Sequence, residues 1–241
     1  MAANVQLSRR LKTIAEMVTE GNRLVDVGCD HGYLPVYLML NHRIPGAIAT
    51  DVGKGPLARA QEHISKYGMG QYIETRLCDG LKGVRSGEGD TLVIAGMGGP
   101  LMERILTEGA EALTGFKELI LQPQSELEKV RRYLEEHRFR IVAEDMVEED
   151  GKYYPMMKVI PAEQKGLYAE GVPAAEEELE YGKYLLEKAH PVMGAYLKKE
   201  LSVNQSVYEK LRVQESERTK ERSAEVLHMI KRAEDLLDRY F

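Results

Sequence analysis

The sequence predicts an α/β protein with a mostly parallel, seven-stranded sheet that ends in an antiparallel hairpin, followed by a small C-terminal α-helical coiled-coil domain. Three observations carry that prediction. Short apolar strands alternate with helix-length segments from Leu24 to His137, the βαβ pattern that builds a parallel sheet covered on both faces. Two later strand-like runs flank an Asp150-Gly151 pair, a hairpin signal that makes one of them antiparallel. Beyond Pro161 the strand signals stop and apolar residues recur at helical spacing.

Near the N-terminus, Leu7, Leu11, Ile14 and Val18 share one helix face, which puts the basic cluster Arg9, Arg10 and Lys12 off the core face. Strands are expected at Leu24–Gly28, Ala47–Asp51, Tyr72–Cys78, Thr91–Ala95 and Leu119–Leu121. Helices are expected near Leu34–Leu40, Pro56–Tyr67, Leu101–Leu113 and Leu127–His137. Pro35 suits a first helical turn, where its missing N–H would have no partner anyway. The hairpin strands are Arg140–Val147 and Tyr153–Val159. Residues 1–161 form the sheet domain, 162–178 a linker or irregular crossing with Gly166, Gly171 and Pro173, and 179–241 the helical domain. There, Leu197, Leu201, Asn204, Tyr208 and Leu211 make one short heptad seam. Val226, Ile230, Ala233, Leu237 and Tyr240 make a second, beyond the polar stretch Gln214–Arg222. Two antiparallel helices packed as a hairpin, as expected of a monomer, explain both seams, with pairing between molecules the alternative; Asn204 in the seam is the candidate to fix register by needing a polar partner.

The 241 residues carry a net charge of −6 and are 43% hydrophobic, enough for one full core and an appendage but unlike a surface coated with base for unselective nucleic-acid binding. No apolar run approaches the roughly 20 residues that span a bilayer. Met1–Gln6 lacks the order of a secretory signal, so the cytoplasm is expected. Cys29 and Cys78 are the only cysteines and form no CxxC or Cys/His cluster, so neither a disulfide framework nor a metal is expected.

The chemistry is expected at Gly28-Cys29-Asp30-His31-Gly32-Tyr33-Leu34-Pro35, a small acidic loop between the first strand and its helix. Nucleotide cofactors bind at such carboxyl ends of parallel strands. Asp30 stands where a dinucleotide fingerprint has its second glycine, and a carboxylate there repels a pyrophosphate. S-adenosylmethionine brings no phosphate and carries a sulfonium cation, so the loop fits a methyl donor better than NAD. Asp26, within the first strand, organises this loop or is a satisfied turn aspartate. Asp51 ends the second strand about 20 residues past the loop, where a carboxylate accepts ribose hydroxyls; a turn cap is the alternative. Asp79-Gly80-Leu81 follows the third strand, where a carboxylate accepts from the adenine amino group while Leu81 packs its ring; a plain turn is the alternative. Ala95-Gly96-Met97-Gly98-Gly99 closes the fourth strand beside the same crevice and leaves room for a flat substrate ring, or for tight helix packing. It lacks the Asn/Asp-Pro-Pro-aromatic segment common in methylation of exocyclic amines. Gln122-Pro123-Gln124 offers amides toward the crevice, or simply terminates the fifth strand.

Taken together, Asp26-x-Gly28-x-Asp30-His31-x-Tyr33-Leu34-Pro35, Ala95-Gly96-Met97-Gly98-Gly99 and Leu119-Ile120-Leu121-Gln122-Pro123 resemble the bacterial tRNA (adenine-22-N1)-methyltransferases of the TrmK family. The similarity covers essentially the whole chain; Gly32 stands where alanine is expected. It implies a Rossmann-like class I methyltransferase domain, S-adenosylmethionine as cofactor, tRNA as partner, and transfer of a methyl group to N1 of adenine 22. That nitrogen has a free lone pair and needs no deprotonation, but methylation leaves the ring cationic. Negative charge near the ring therefore helps, and Asp30 is the candidate to supply it. His31 orients Asp30 or touches RNA, unless it only makes a local hydrogen bond. Tyr33 stacks on the base or covers the cofactor. N1 lies on the pairing edge, so the base must flip into a crevice near Asp30, Met97 and Gln122. Arg9, Arg10, Lys12, Lys198 and Lys199 are expected to hold phosphates. A methyltransferase for a small molecule or protein, or a silent cofactor-binding module, would share the loop but not the tRNA.

Overall fold

The computed structural model describes residues 5–213 and 217–241. Residues 1–4, read above for a leader, and residues 214–216 of the polar stretch lie outside the described residues. The order is α1 (Arg9–Met17), β1 (Leu24–Val27), α2 (Tyr33–Leu40), β2 (Ala47–Asp51), α3 (Lys54–Lys66), β3 (Ile73–Leu77) and β4 (Thr91–Met97). There follow α4 (Gly99–Glu108), α5 (Ala110–Leu113), β5 (Glu118–Pro123), α6 (Leu127–Glu136), β6 (Phe139–Glu149) and β7 (Lys152–Pro161). Four more helices complete the described chain: α7 (Glu176–Tyr181), α8 (Lys183–Glu187), α9 (Pro191–Leu211) and α10 (Glu217–Tyr240).

The sheet has seven strands in the order β3-β2-β1-β4-β5-β7-β6. Strands β1 to β5 pair in parallel, and β7 runs antiparallel to both β5 and β6. Every residue of β1 and β5 is buried, because helices cover both faces of a parallel sheet and leave its central strands no polar side. The order reverses between β1 and β4, which opens a crevice at their carboxyl ends. In the hairpin turn Asp150 and Gly151 both take positive φ, 52° and 74°, the type I′ geometry that matches strand twist.

Two elements depart from the sequence reading. The single helix expected over Leu101–Leu113 breaks at Gly109 into α4 and α5. A Cβ on Gly109 would stand 2.5 Å from the Leu81 side chain, so the glycine admits Leu81 into the break. Residues 162–175 are irregular apart from the bridge Ala169–Val172 and α7 begins at Glu176 within the expected linker, yet the stretch is packed. Leu167 is buried and its carbonyl accepts from Ile141 N at 2.8 Å, while the Tyr168 hydroxyl reaches Glu144. Glu144 in turn pairs with the buried Arg131 at 2.9 Å, and Arg131 donates to the carbonyls of Leu179 and Glu180. The first compact unit accordingly runs to Glu180, and the second covers Tyr181–Phe241.

In the second unit α9 packs on α10. Leu197, Val226, Ile230 and Ala233 are buried as the seams require, and Leu236 is buried beside the half-buried Leu237.

Candidate active site

Strand β1 delivers Asp26 to the sheet's carboxyl end and then turns sharply. Gly28 N and Cys29 N both donate to the Thr50 carbonyl, at 2.8 and 3.0 Å, which ties the loop to β2. The turn needs three residues at positive φ: Gly28 at 76°, Asp30 at 44° and Gly32, the N-cap of α2, at 65°. Aspartate tolerates that region better than most side chains, and alanine at position 32 would be strained there. A Cβ on Gly28 would fall 2.3 Å from the Met97 methyl, so Met97 of β4 lies directly over the glycine.

A cavity of about 110 Å³ forms here, lined by Arg10, Leu11, Asp26, Gly28, Cys29, Asp30, His31, Tyr33, Leu34 and Ala95. Asp26 is buried, and desolvation together with the neighbouring Asp51 carboxylate pushes its carboxyl up to about 7, with Arg10 pulling the other way. Burial and the same carboxylates push the Cys29 thiol far above its ordinary range, which leaves it inert. Asp30 is exposed; it accepts from Arg59 Nη2 of α3 at 2.9 Å, and His31 Nε2 lies 3.8 Å away. The rings of His31 and Tyr33 stack at 5.2 Å, and Tyr33 meets His63 edge-on at 4.6 Å.

Asp51 ends β2, and its Oδ1 accepts from Gly53 N at 2.7 Å. The cap is therefore real, and among the described residues Oδ2 has no hydrogen-bond partner. The Asp79 carboxylate is taken by Arg104, through two bonds of 2.9 and 3.0 Å, and by Lys82 at 3.3 Å. These cations hold it down at about 2. Leu81 is buried, so its side chain is closed to an adenine ring. Gly80, at φ 59°, presses its backbone on Ile105. The exposed apolar side chains at this end are instead Val52, which follows β2, and Leu77, the β3 partner of Asp51.

The fourth strand bulges between Ala95 and Met97, with Gly96 at φ 77°. Gln122 supports the bulge from β5. Its Oε1 accepts from Gly96 N at 3.1 Å and from Arg10 Nη1 at 3.0 Å, and its Nε2 donates to the Pro123 carbonyl. Gln122 is fully buried, with its Oε1 accepting twice and its Nε2 donating to the adjacent carbonyl, so its oxygen serves the bulge and Arg10 where it was expected to be offered to the crevice. Gly98 caps α4, and a Cβ there would stand 3.3 Å from Ser125 Oγ.

Arg10 is the second correction. It was expected on the solvated face of α1, but it is half-buried and reaches the cavity, with its guanidinium 5.6 Å from the centre of the Tyr154 ring. The cause is the hairpin beneath α1. Arg9 N donates to Glu149 at 2.7 Å and Arg9 Nη1 to the Glu148 carbonyl, while Ser8 Oγ caps the helix at Leu11 N. Pinned on that side, the helix turns Arg10 inward and leaves Arg9 and Lys12 exposed. Arg59 and Tyr154 belong to no motif, so neither carries a signal in the sequence.

Among the described residues no group of three or more His, Cys, Asp or Glu is arranged to hold a metal, and no helix is long and apolar enough to cross a membrane. The model of the TrmK family, tRNA (adenine(22)-N(1))-methyltransferase, matches residues 24–235. The tRNA (adenine(22)-N(1))-methyltransferase of Bacillus subtilis is 34% identical over 97% of this chain and 98% of its own. Its crystal structure superposes with a TM-score of 0.82 at 32% identity, covering 97% and 100% of the two chains. A Streptococcus pneumoniae protein solved with S-adenosyl-L-methionine superposes with a TM-score of 0.83 at 31% identity, covering 96% and 100%. M. capricolum TrmK, solved with S-adenosyl-homocysteine, does so with a TM-score of 0.81 at 25% identity, covering 98% and 99%. With nearly its whole length matched in this way, the chain belongs to the TrmK family.

Proposed function

We propose that this protein methylates N1 of adenine 22 in tRNA with S-adenosylmethionine as donor, in the cytoplasm and as a monomer. Full-length family membership supports the reaction. The observation that carries the donor is the set of three carboxylates, Asp26, Asp30 and Asp51, around a loop with two positive-φ glycines. That surround repels a pyrophosphate and favours a sulfonium.

The residues present fit such a donor. Gly28 and Gly96 offer bare backbone beside the cavity, Ala95 lines it, and Asp51 Oδ2 is available for a ribose hydroxyl. Val52 and Leu77 are placed to cover the adenine ring in place of the buried Leu81, and the backbone of Asp79-Gly80 to border it. When bound, S-adenosylmethionine supplies an electrophilic methyl group. Asp30 then holds negative charge at the cavity mouth, where the target ring becomes cationic, and Arg59 fixes its orientation. His31 and Tyr33 present a stacked pair of rings for the flipped base, and Met97 with Gly98 borders its other side. Arg9 and Lys12 on α1, and Lys198 on α9, are exposed for phosphates.

The test is methyl transfer from labelled S-adenosylmethionine to unmodified tRNA with adenine at position 22, beside the same tRNA with guanine there. Label in the first alone is expected. Equal label in both would overturn the site, and label in neither would overturn the reaction.

A further inference from the structure

A cavity of about 310 Å³ lies in the first unit at the end of the sheet opposite the glycine loop, where α4, α5 and α6 finish, β6 begins and β7 ends. It shares no lining residue with the cavity at Asp30, and its volume is at the lower end of what small-molecule sites enclose. Leu106, Leu113 and Phe139, all buried, give it an apolar floor. Beside them the rings of Tyr133 and His137 stack at 3.9 Å with 19° between their planes. That pair is held in place: His137 Nδ1 donates to the Tyr133 carbonyl at 2.8 Å, and the Thr107 hydroxyl donates to the Tyr133 hydroxyl at 3.2 Å. Arg138, the next residue, is exposed and lines the same cavity. Its backbone is fixed at φ 59°, with its carbonyl accepting from Ala162 N at 2.8 Å. This is the left-handed position past a helix end that glycine fills at least cost. An arginine stands there instead, and its guanidinium has no hydrogen-bond or ion-pair partner among the described residues. No aspartate or glutamate lines the cavity.

We propose that this cavity binds a flat aromatic anion, with the ligand's ring on the apolar floor against the Tyr133–His137 pair and its carboxylate or phosphate on Arg138. Each part of the cavity answers one part of such a ligand. Aromatic side chains favour a further ring, and a planar guanidinium with no competing acid beside it recognises a carboxylate or phosphate through paired hydrogen bonds. A backbone that asks for glycine while the side chain carries the cavity's one permanent charge separates stability from binding at a single position. Replacing Arg138 by glycine should therefore spare the fold and cost only the ligand.

The experiment titrates the full chain into 2-naphthoate, 2-naphthyl phosphate and the neutral 2-naphthalenemethanol, with and without S-adenosylhomocysteine. The chain has no tryptophan, so naphthalene fluorescence reads binding directly. At least one anion should bind about fivefold more tightly than the alcohol, the discount for an exposed cation included, and the preferred one identifies the ligand as a carboxylate or a phosphate. Arg138→Gly should abolish that preference with an unchanged or higher midpoint in urea unfolding. Ala110→Phe, which fills the cavity from α5, should abolish binding of all three probes. S-adenosylhomocysteine should leave the titrations unchanged. An anion preference that survives Arg138→Gly, or binding that survives Ala110→Phe, would overturn the proposal. Displacement of the probes by S-adenosylhomocysteine would overturn it in favour of the cavity at Asp30, and absence of binding to the folded wild type would overturn it outright.

Discussion

Asp26→Asn should stabilise the ligand-free protein, and more so at pH 8 than at pH 5. In the unfolded chain this carboxyl ionises at its ordinary value of 3.8, whereas in the fold it keeps its proton up to about 7 because burial and Asp51 oppose its charge. Between those values the folded state retains a proton that the unfolded chain has released, so stability falls as pH rises through the window. Below it the carboxyl contributes no penalty; above about 7 the whole penalty is present. Each pH unit between the two values is worth about 1.36 kcal/mol, which puts the penalty at roughly 4 kcal/mol. Asparagine keeps the size and has no charge to desolvate. Urea unfolding of wild type and Asp26→Asn at pH 5 and pH 8 should thus show a gain from the substitution of roughly 1–2 kcal/mol at the lower pH and about 4 at the higher. A substitution effect that is identical at both pH values, or a destabilisation at pH 8, would refute the reasoning.

Three other outcomes are expected. Asp30→Asn keeps size and hydrogen bonding and removes charge; turnover should fall by about a hundredfold or more while S-adenosylhomocysteine affinity holds, and unaltered single-turnover rates would reject Asp30 as the catalytic carboxylate. Arg9→Glu with Lys12→Glu should weaken tRNA binding and lower its salt slope by about 0.7–0.9 per lost phosphate contact, measured by filter binding across a salt series; an unchanged slope would remove α1 from the tRNA surface. Arg131→Ala strands the Glu144 carboxylate, whose side chain is 0% exposed, and should cost about 3–5 kcal/mol in urea unfolding, whereas Arg131→Met with Glu144→Leu should recover most of it.

The sheet was legible because its cause is local. Val25, Val27, Leu92, Ile94, Leu119 and Leu121 are short apolar runs between turn residues, and no helical period competes with them. The loop at Gly28 was legible for a related reason: a strand that ends in small and acidic residues before a helix has few conformations, and the glycines fall where φ is positive. The break at Gly109 was not, since it depends on Leu81 arriving from 28 residues upstream. Nor was the packed course of 162–180, whose anchors Arg131, Glu144 and Tyr168 are far apart in sequence and polar in type. Buried ion pairs of this kind look like surface charge until the partner is known.

Arg10 and Gln122 mark where periodicity stops being informative. Helical spacing gives the face of α1 that meets the apolar core, and it put Arg10 on the remainder. That remainder is not all solvent: the β6–β7 hairpin lies against part of it, and the crevice opens beside another part. A residue off the apolar stripe can therefore be half-buried against polar groups. Gln122 failed in the opposite sense, for an amide at a strand end looks available until the bulge at Gly96 claims its oxygen. Both errors have one source. A site that binds charge needs polar groups which the core pattern does not require, so what holds them is other polar groups distant in sequence. Its members consequently became legible only in the hydrogen bonds that join α1, β4 and β5.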